Sequence, residues 1–268
     1  MPQLLCPVCG LPLTRTENTL RCGVGHSFDY ARQGYVNLLP VSQKHSLHPG
    51  DTREQVASRR AFLDAGFYAP IAEKVTGILR AEAPRSVLDV GCGEGYYLSS
   101  ALRQLPDCEG WGMDISKDAV RYAAVRCKTA GWFVGTASHL PFADGSFDCV
   151  VSMFALTLPE EFRRVLRPGG LFLQVTAHRE HLMNLRRIIY PEITKKEDTL
   201  SSELPGFAPD GREELVFDFT LTKPEQVAQL LGMTPHFWRI TKEGALRAAQ
   251  TQTLSDTAKI VFQRFRAE

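Results

Sequence analysis

The segment Val87-Leu88-Asp89-Val90-Gly91-Cys92-Gly93-Glu94-Gly95-Tyr96 limits the fold of this chain more than any other. A short apolar strand runs into Gly-x-Gly-x-Gly and out into a helix, so backbone can approach a ligand closely at the carboxyl end of the first strand of a doubly wound sheet. The following residues keep that alternation. Strands are predicted over 86–90, 110–115, 132–136, 148–153 and 171–175, with helices over 96–105, 117–129 and 159–166 between them. Such a series implies an α/β fold with a doubly wound, mostly parallel sheet and helices on both faces. Upstream, Val56, Phe62, Leu63, Ile71, Val75, Ile78 and Leu79 recur at helical spacing, with a break at Gly66. Downstream, a helix over 179–190, a polar loop over 195–212, strands over 216–221 and 260–265 and a helix over 224–231 complete the expected elements.

The acidic positions around the loop indicate the ligand it suits. Pyrophosphate-binding turns space their glycines as Gly-x-Gly-x-x-Gly and offer helix N–H groups to phosphate. Here Asp89 stands two residues before the first glycine, and a carboxylate suits a cationic amine better than a phosphate. Met113-Asp114-Ile115 ends the next strand, where Asp114 can accept both hydroxyls of a ribose while its apolar neighbours flank an adenine. Gly135-Thr136-Ala137-Ser138 ends the third strand, Asp144-Gly145-Ser146-Phe147-Asp148 leads into the fourth, and Arg167-Pro168-Gly169-Gly170 precedes the fifth. Over about residues 84–178 this series resembles the class I S-adenosylmethionine-dependent methyltransferases, whose sheet is Rossmann-like. The resemblance implies that Asp89, Gly91, Gly93, Glu94 and Gly95 surround the methionine part of the cofactor, Asp114 the ribose, and Met113, Ala137 and Ser138 the adenine.

A second constellation precedes the sheet. Cys6-x2-Cys9-x12-Cys22-x3-His26 forms two knuckles that let three thiolates and one imidazole converge on a tetrahedral ion, with Pro7 and Gly10 helping the first knuckle turn. Four protein ligands leave no coordination place for water, so zinc here folds a segment too small to fold alone. Any further role of the segment is recognition. The other four of the seven cysteines read as core or incidental, Cys149 among them.

Composition then narrows the partners. The chain has 268 residues and a formal net charge of +1, which excludes holding nucleic acid by bulk electrostatics. The balance is uneven, however: residues 1–60 hold seven Lys/Arg against four Asp/Glu, and residues 178–196 hold five against two. Two basic edges could face phosphate across a cleft, and Phe28, Tyr30 and Tyr35 could stack unpaired bases or form the miniature core of the metal segment. No run approaches the roughly 18 apolar residues of a membrane span, and the start Met1-Pro2-Gln3-Leu4-Leu5-Cys6 lacks a basic leader, so a cytoplasmic protein without membrane contact is expected.

The place after the fourth strand reads Ser152-Met153-Phe154-Ala155-Leu156, without the Asn/Asp-Pro-Pro-aromatic turn common among exocyclic-amine methyltransferases. A ring nitrogen, an oxygen or a small molecule remains as acceptor. Taken together, the metal quartet, Phe28-Asp29-x4-Gly34-Tyr35-Val36-Asn37-Leu38-Leu39-Pro40, Gly50-Asp51 with Arg59-Arg60-x-Phe62-Leu63-x2-Gly66-x-Tyr68-x-Pro70, the glycine loop and His181-Leu182-Met183 are similar to the 23S rRNA guanine-N1 methyltransferases of the RlmA type. That resemblance spans essentially the whole chain. It implies methyl transfer to N1 of a guanine in a 23S rRNA hairpin loop, S-adenosylmethionine and zinc as cofactors, Tyr68 and His181 reaching the cofactor, and a homodimer. Leu156 departs from the aromatic-Ala/Ser-Pro turn usual in the family. The expected division is a zinc-binding RNA-recognition module over 1–38, a linker and helical segment over 39–83, and the methyltransferase domain over 84–268. Guanine N1 carries a proton with a pKa of roughly 9 that must leave as the methyl arrives; His178 and His181 are the nearest-neutral side chains, and no catalytic residue is assigned. A small-molecule methyltransferase with a purely structural zinc module, and a noncatalytic rRNA-binding protein on the same fold, remain open at this point.

Overall fold

A computed structural model describes residues 2–43, 49–193 and 201–268. Three short strands, β1 (Leu13–Thr16), β2 (Thr19–Cys22) and β3 (Ser27–Asp29), form an antiparallel ribbon in that order. Then β4 (Tyr35–Asn37) leaves the ribbon and joins the large sheet. Helices α1 (Arg53–Asp64) and α2 (Ala69–Glu82) follow, and β5 (Ser86–Val90), α3 (Tyr96–Leu102), β6 (Glu109–Asp114), α4 (Lys117–Arg126), β7 (Gly131–Val134), β8 (Phe147–Met153), α5 (Pro159–Val165) and β9 (Leu166–Ala177) alternate. Last come α6 (Met183–Ile189), β10 (Phe207–Leu221), α7 (Pro224–Gly232), α8 (Lys242–Gln250) and β11 (Leu254–Ala267).

The eight-stranded sheet has the order β10-β11-β9-β8-β5-β6-β7-β4. From β4 to β9 every pairing is parallel, while β11 runs antiparallel between β9 and β10. β5 and β8 are buried at every position, as strands covered on both faces must be. Local chemistry sets the helix starts: Thr52 accepts from Gln55 N in a reciprocal capping box before α1, and Ser116 accepts from Ala119 N before α4.

Alternation along each strand divides the core. Val87, Trp132, Val151 and Leu173 join the helices α1–α4 and α6–α8 on one face. Leu88, Val90, Met113, Phe133 and Phe172 face the other way, where α5 contributes Phe162 and Val165 and the ribbon contributes Leu4, Leu13 and Leu20. Helices therefore dominate one face, and the metal ribbon covers much of the second. Residues 135–146 hold no helix, and the zinc segment joins this stretch through a Leu4–Phe142 bridge and through Leu5 N donating to Pro141 O at 2.9 Å.

Several expected boundaries move. The loop expected over 195–212 ends at Phe207, where β10 begins, while residues 194–200 lie outside the described residues. The helix expected from 179 starts at Met183, because Leu182 takes a left-handed conformation (φ 55°) that ends the preceding turn. β1, β4 and α8 were not expected.

Candidate cofactor site and metal centre

The parallel strands carry their carboxyl ends to one edge, and β5 there enters the glycine loop. Gly91 has φ 78°, and a Cβ added to it would lie 2.5 Å from the Ala155 Cβ, so the loop after β8 presses onto the glycine backbone. Leu156, which departs from the family turn, is 77% exposed and leaves that contact intact. Behind the loop, Gly91 N donates to Met113 O at 2.8 Å and Gly93 N donates to Asp114 Oδ2 at 2.9 Å. Ser116 N donates to the other carboxylate oxygen, Asp114 Oδ1, at 2.8 Å, and the Ser116 hydroxyl donates to Asp51 O. Asp114 is thereby fixed across the mouth of the loop with lone pairs to spare.

The electrostatics are lopsided. Asp89 and Glu94 are buried, and Asp89 Oδ1 and Glu94 Oε1 have no hydrogen-bond partner. Burial, with Asp114 and Glu94 nearby, pushes the Asp89 carboxyl up to about 8. Burial also raises Glu94, against the opposing pull of Arg59 and Arg126, and raises Asp114 despite its backbone donors. A buried carboxylate without a partner is costly, and several converging on one loop form a site for a cationic ligand. S-adenosylmethionine, with its ammonium and sulfonium groups, fits that requirement. Arg59 of α1 answers part of the charge. Its guanidinium pairs with Asp51, reaches Met233 O at 3.5 Å, and lies 3.7 Å from where a Gly93 Cβ would stand. Sequence reasoning did not single out Arg59 or Asp51 as site residues, since only the fold brings α1 over the loop.

The expected adenine neighbours are at the adjacent strand ends. Met113 is buried in β6, with its sulfur 2.7 Å from the position of a Gly135 Cβ. Ala137 is half-buried and Ser138 exposed after β7, the Ser138 hydroxyl 2.9 Å from that of Thr136. Gly95 meets Trp132 and Ala123 rather than open space.

Tyr68 and His181 form a pair of their own. Tyr68 Oη and His181 Nε2 are 3.1 Å apart, and the tyrosine ring packs edge-on against Phe62, Phe217 and Phe219. Burial holds the His181 imidazole down to about 3, so it is neutral. Its Nδ1 accepts from Lys259 N at 3.2 Å, which places the proton on Nε2 and makes that nitrogen the donor to Tyr68. The tyrosine proton is then directed elsewhere. With Nδ1 already accepting and Nε2 protonated, His181 has no nitrogen free to act as a base.

In the ribbon, Cys6, Cys9, Cys22 and His26 bring their ligand atoms within 4.8 Å of one another. The Cys9–Cys22 sulfurs are 3.7 Å apart, and His26 Nδ1 lies 3.6 Å from Cys6 Sγ and 3.4 Å from Cys22 Sγ. A tetrahedral zinc with Zn–S near 2.3 Å and Zn–N near 2.0 Å demands edges of about 3.8 Å and 3.5 Å. The donor set fits zinc and closes its coordination sphere. Burial alone would raise the Cys22 thiol, yet backbone hydrogen bonds from Val24 and His26 outweigh it and hold it at about 6, favouring thiolate.

Residues 4–47 match the zinc-ribbon family described as RlmA, N-terminal, and residues 87–170 match the methyltransferase domain family. The chain is 40% identical to a 23S rRNA (guanine(748)-N(1))-methyltransferase from Streptomyces fradiae, over 88% of this chain and 85% of that one. The chain belongs to the RlmA-type 23S rRNA (guanine-N1)-methyltransferases. A putative 23S rRNA (guanine-N(1)-)-methyltransferase from Micromonospora griseorubida is 36% identical over 99% of this chain and 98% of the relative. The YcgJ protein from Bacillus subtilis is 19% identical over 73% of this chain and 99% of its own, with a TM-score of 0.47. As an S-adenosylmethionine-dependent methyltransferase with a zinc ribbon, the RlmA-type chain uses both cofactors that its two sites fit.

Proposed function

We propose that this protein transfers the methyl group of S-adenosylmethionine to N1 of a guanine in a hairpin loop of 23S rRNA. The observation that carries the reading is the buried, unpartnered carboxylate of Asp89 at a glycine loop, in a chain whose similarity to rRNA guanine-N1 methyltransferases runs through both its ribbon and its sheet. When bound, S-adenosylmethionine supplies an electrophilic methyl group on a sulfonium. Asp89 would accept from its ammonium, with Gly91, Gly93, Glu94 and Gly95 around the methionine part. Asp114 would accept from the ribose hydroxyls, and Met113, Ala137 and Ser138 would border the adenine. Tyr68, whose hydroxyl accepts from His181 Nε2, would be free to donate its own proton toward the cofactor.

The remaining work is orientation of the guanine, which is worth several orders of magnitude in rate. His181 has no nitrogen free to take the N1 proton and acts as a positioning group. Residues 1–38 act as the RNA-recognition module, 39–83 as linker and helical segment, and 84–268 as the methyltransferase domain. The exposed cations Arg15, Arg21 and Arg32 give the ribbon a phosphate-facing surface. The protein works in the cytoplasm, and a homodimer is the assembly that the family resemblance implies.

Tritiated cofactor offered to unmodified 23S rRNA should label RNA and create a primer-extension stop at a loop guanine, since N1 methylation blocks base pairing. Label only in small molecules would overturn the reading.

A further inference from the structure

The aromatic rings open to solvent lie outside the zinc ribbon. Tyr35 is buried, and Phe28 and Tyr30 pack onto the cluster beneath the ribbon. Phe237 and Trp238, by contrast, are 44% and 67% exposed. A single turn after α7 presents them: Thr234 is buried with its hydroxyl donating to Leu231 O at 2.9 Å, and Pro235 opens the turn. The two rings meet edge-on with centroids 5.3 Å apart, so each limits the other's freedom.

The turn sits on the rim of the cofactor site. On one side Met233 O accepts from Arg59, whose guanidinium lies against the glycine loop. On the other, His236 Nδ1 and Tyr190 Oη are 2.8 Å apart at the end of α6, the helix that follows His181. The sign of the charge suits a polyanion: residues 235–250 carry Arg239, Lys242 and Arg247 against Glu243 alone.

We propose that Phe237 and Trp238 form a stacking platform for an unpaired nucleobase next to the methylated guanine, with Arg239 supplying charge for the adjoining phosphate. This rests on the rRNA reading above. Every base has a π-face, so such a platform tolerates sequence, but a paired duplex has no open face to offer it. The platform thereby selects looped RNA and holds the loop open beside the site.

The test uses full-length, zinc-loaded protein with two RNAs, a hairpin whose unpaired loop contains guanine and a fully paired duplex of equal length. Binding is followed by fluorescence anisotropy with S-adenosylhomocysteine present. Trp238→Ala should weaken hairpin binding about tenfold or more, leave duplex binding within about twofold, and leave S-adenosylhomocysteine affinity and melting temperature unchanged. Trp238→Phe should recover most of the loss, and Phe237→Ala should show a smaller loss of the same selectivity. Equal losses on hairpin and duplex overturn the platform in favour of a merely charged surface. Unchanged hairpin binding overturns it too, and altered sedimentation of the variant would then assign the rings to contact between copies of the chain. Wild-type protein that binds neither RNA overturns the rRNA reading together with the platform, a pattern distinct from failure of the variants alone.

Discussion

Replacing Asp89 with asparagine should stabilise the cofactor-free protein by an amount that grows with pH, while crippling cofactor binding. Asp89 is 2% exposed, its Oδ1 has no partner, and burial moves its carboxyl from 3.8 up to about 8. Between those values the native state holds a proton that the unfolded chain has released. Native stability therefore falls by about 1.4 kcal/mol per pH unit as pH rises through that window. Asparagine does not titrate, so the stability gap between Asp89→Asn and the parent should widen by about 3 kcal/mol from pH 5.5 to pH 8. Urea unfolding at constant zinc measures it. The same proton reports on the cofactor: pairing Asp89 with an ammonium ionises it, so binding to the parent at pH 7 should release close to one proton, counted by calorimetry in buffers of different ionisation heat. Asp89→Asn should release none and bind about a hundredfold more weakly, the cost of losing a charged hydrogen bond. A gap that stays flat with pH, or parent binding without proton release, would refute the assignment of Asp89 to the cationic end of the cofactor.

Three further outcomes follow from the same geometry. Arg59→Ala should raise the Kd for S-adenosylmethionine about tenfold or more, with Arg59→Lys recovering little because a point charge cannot replace the fork that reaches both Asp51 and Met233; unchanged calorimetric affinity would remove Arg59 from the site. Nitrogen NMR should find His181 as the Nε2–H tautomer with no titration between pH 5 and pH 8, since burial holds it at about 3, and an inflection near 6.5 would contradict this. Cys22→Ala should abolish zinc retention in atomic absorption and lower the melting temperature of the whole chain in one transition. A separate early transition that leaves the rest untouched would show that the ribbon and sheet do not share a core.

The order of strands and helices from Ser86 to Val175 was legible because each strand is a short apolar run set off by turn residues, and periodicity reports burial directly. The zinc quartet was legible for a chemical reason: few folds place those four side chains at that spacing without a metal. What escaped was whatever depends on non-local packing. β4 is three residues long and becomes a strand only because β7 offers it an edge, through Leu38 N and Val134 O among other bonds. Arg59 lies more than thirty positions before the glycines it covers, and α8 has only Gly244 and Ala248 buried, too sparse a stripe to announce a helix. Tyr68 and His181 were expected at the cofactor individually; their pairing, which decides the tautomer, needed the hydrogen bond from the β11 backbone.

The ribbon's position gives its metal a role beyond local folding. Between β7 and β8 the chain takes no helical crossover, so among the described residues α5 is the one helix that contributes to the cluster around Leu88, Val90, Met113 and Phe133. Leu4, Leu13 and Leu20 join that cluster, held in place by a segment whose own core is too small to order without zinc. The backbone is stitched as well, with Ala143 N donating to Gln3 O at 3.0 Å and Leu5 N to Pro141 O, immediately after the expected adenine neighbours Ala137 and Ser138. Cys6 follows Leu5 directly, so a metal ligand sits one residue from the backbone hydrogen bond that pins this loop. The zinc centre thus braces the loop after β7 from beneath, while Arg15, Arg21 and Arg32 of the same segment stay exposed. Loss of the metal therefore cannot disturb the exposed cations alone, because the same short strands that carry Arg15 and Arg21 also carry Leu13 and Leu20, which close the core under Met113.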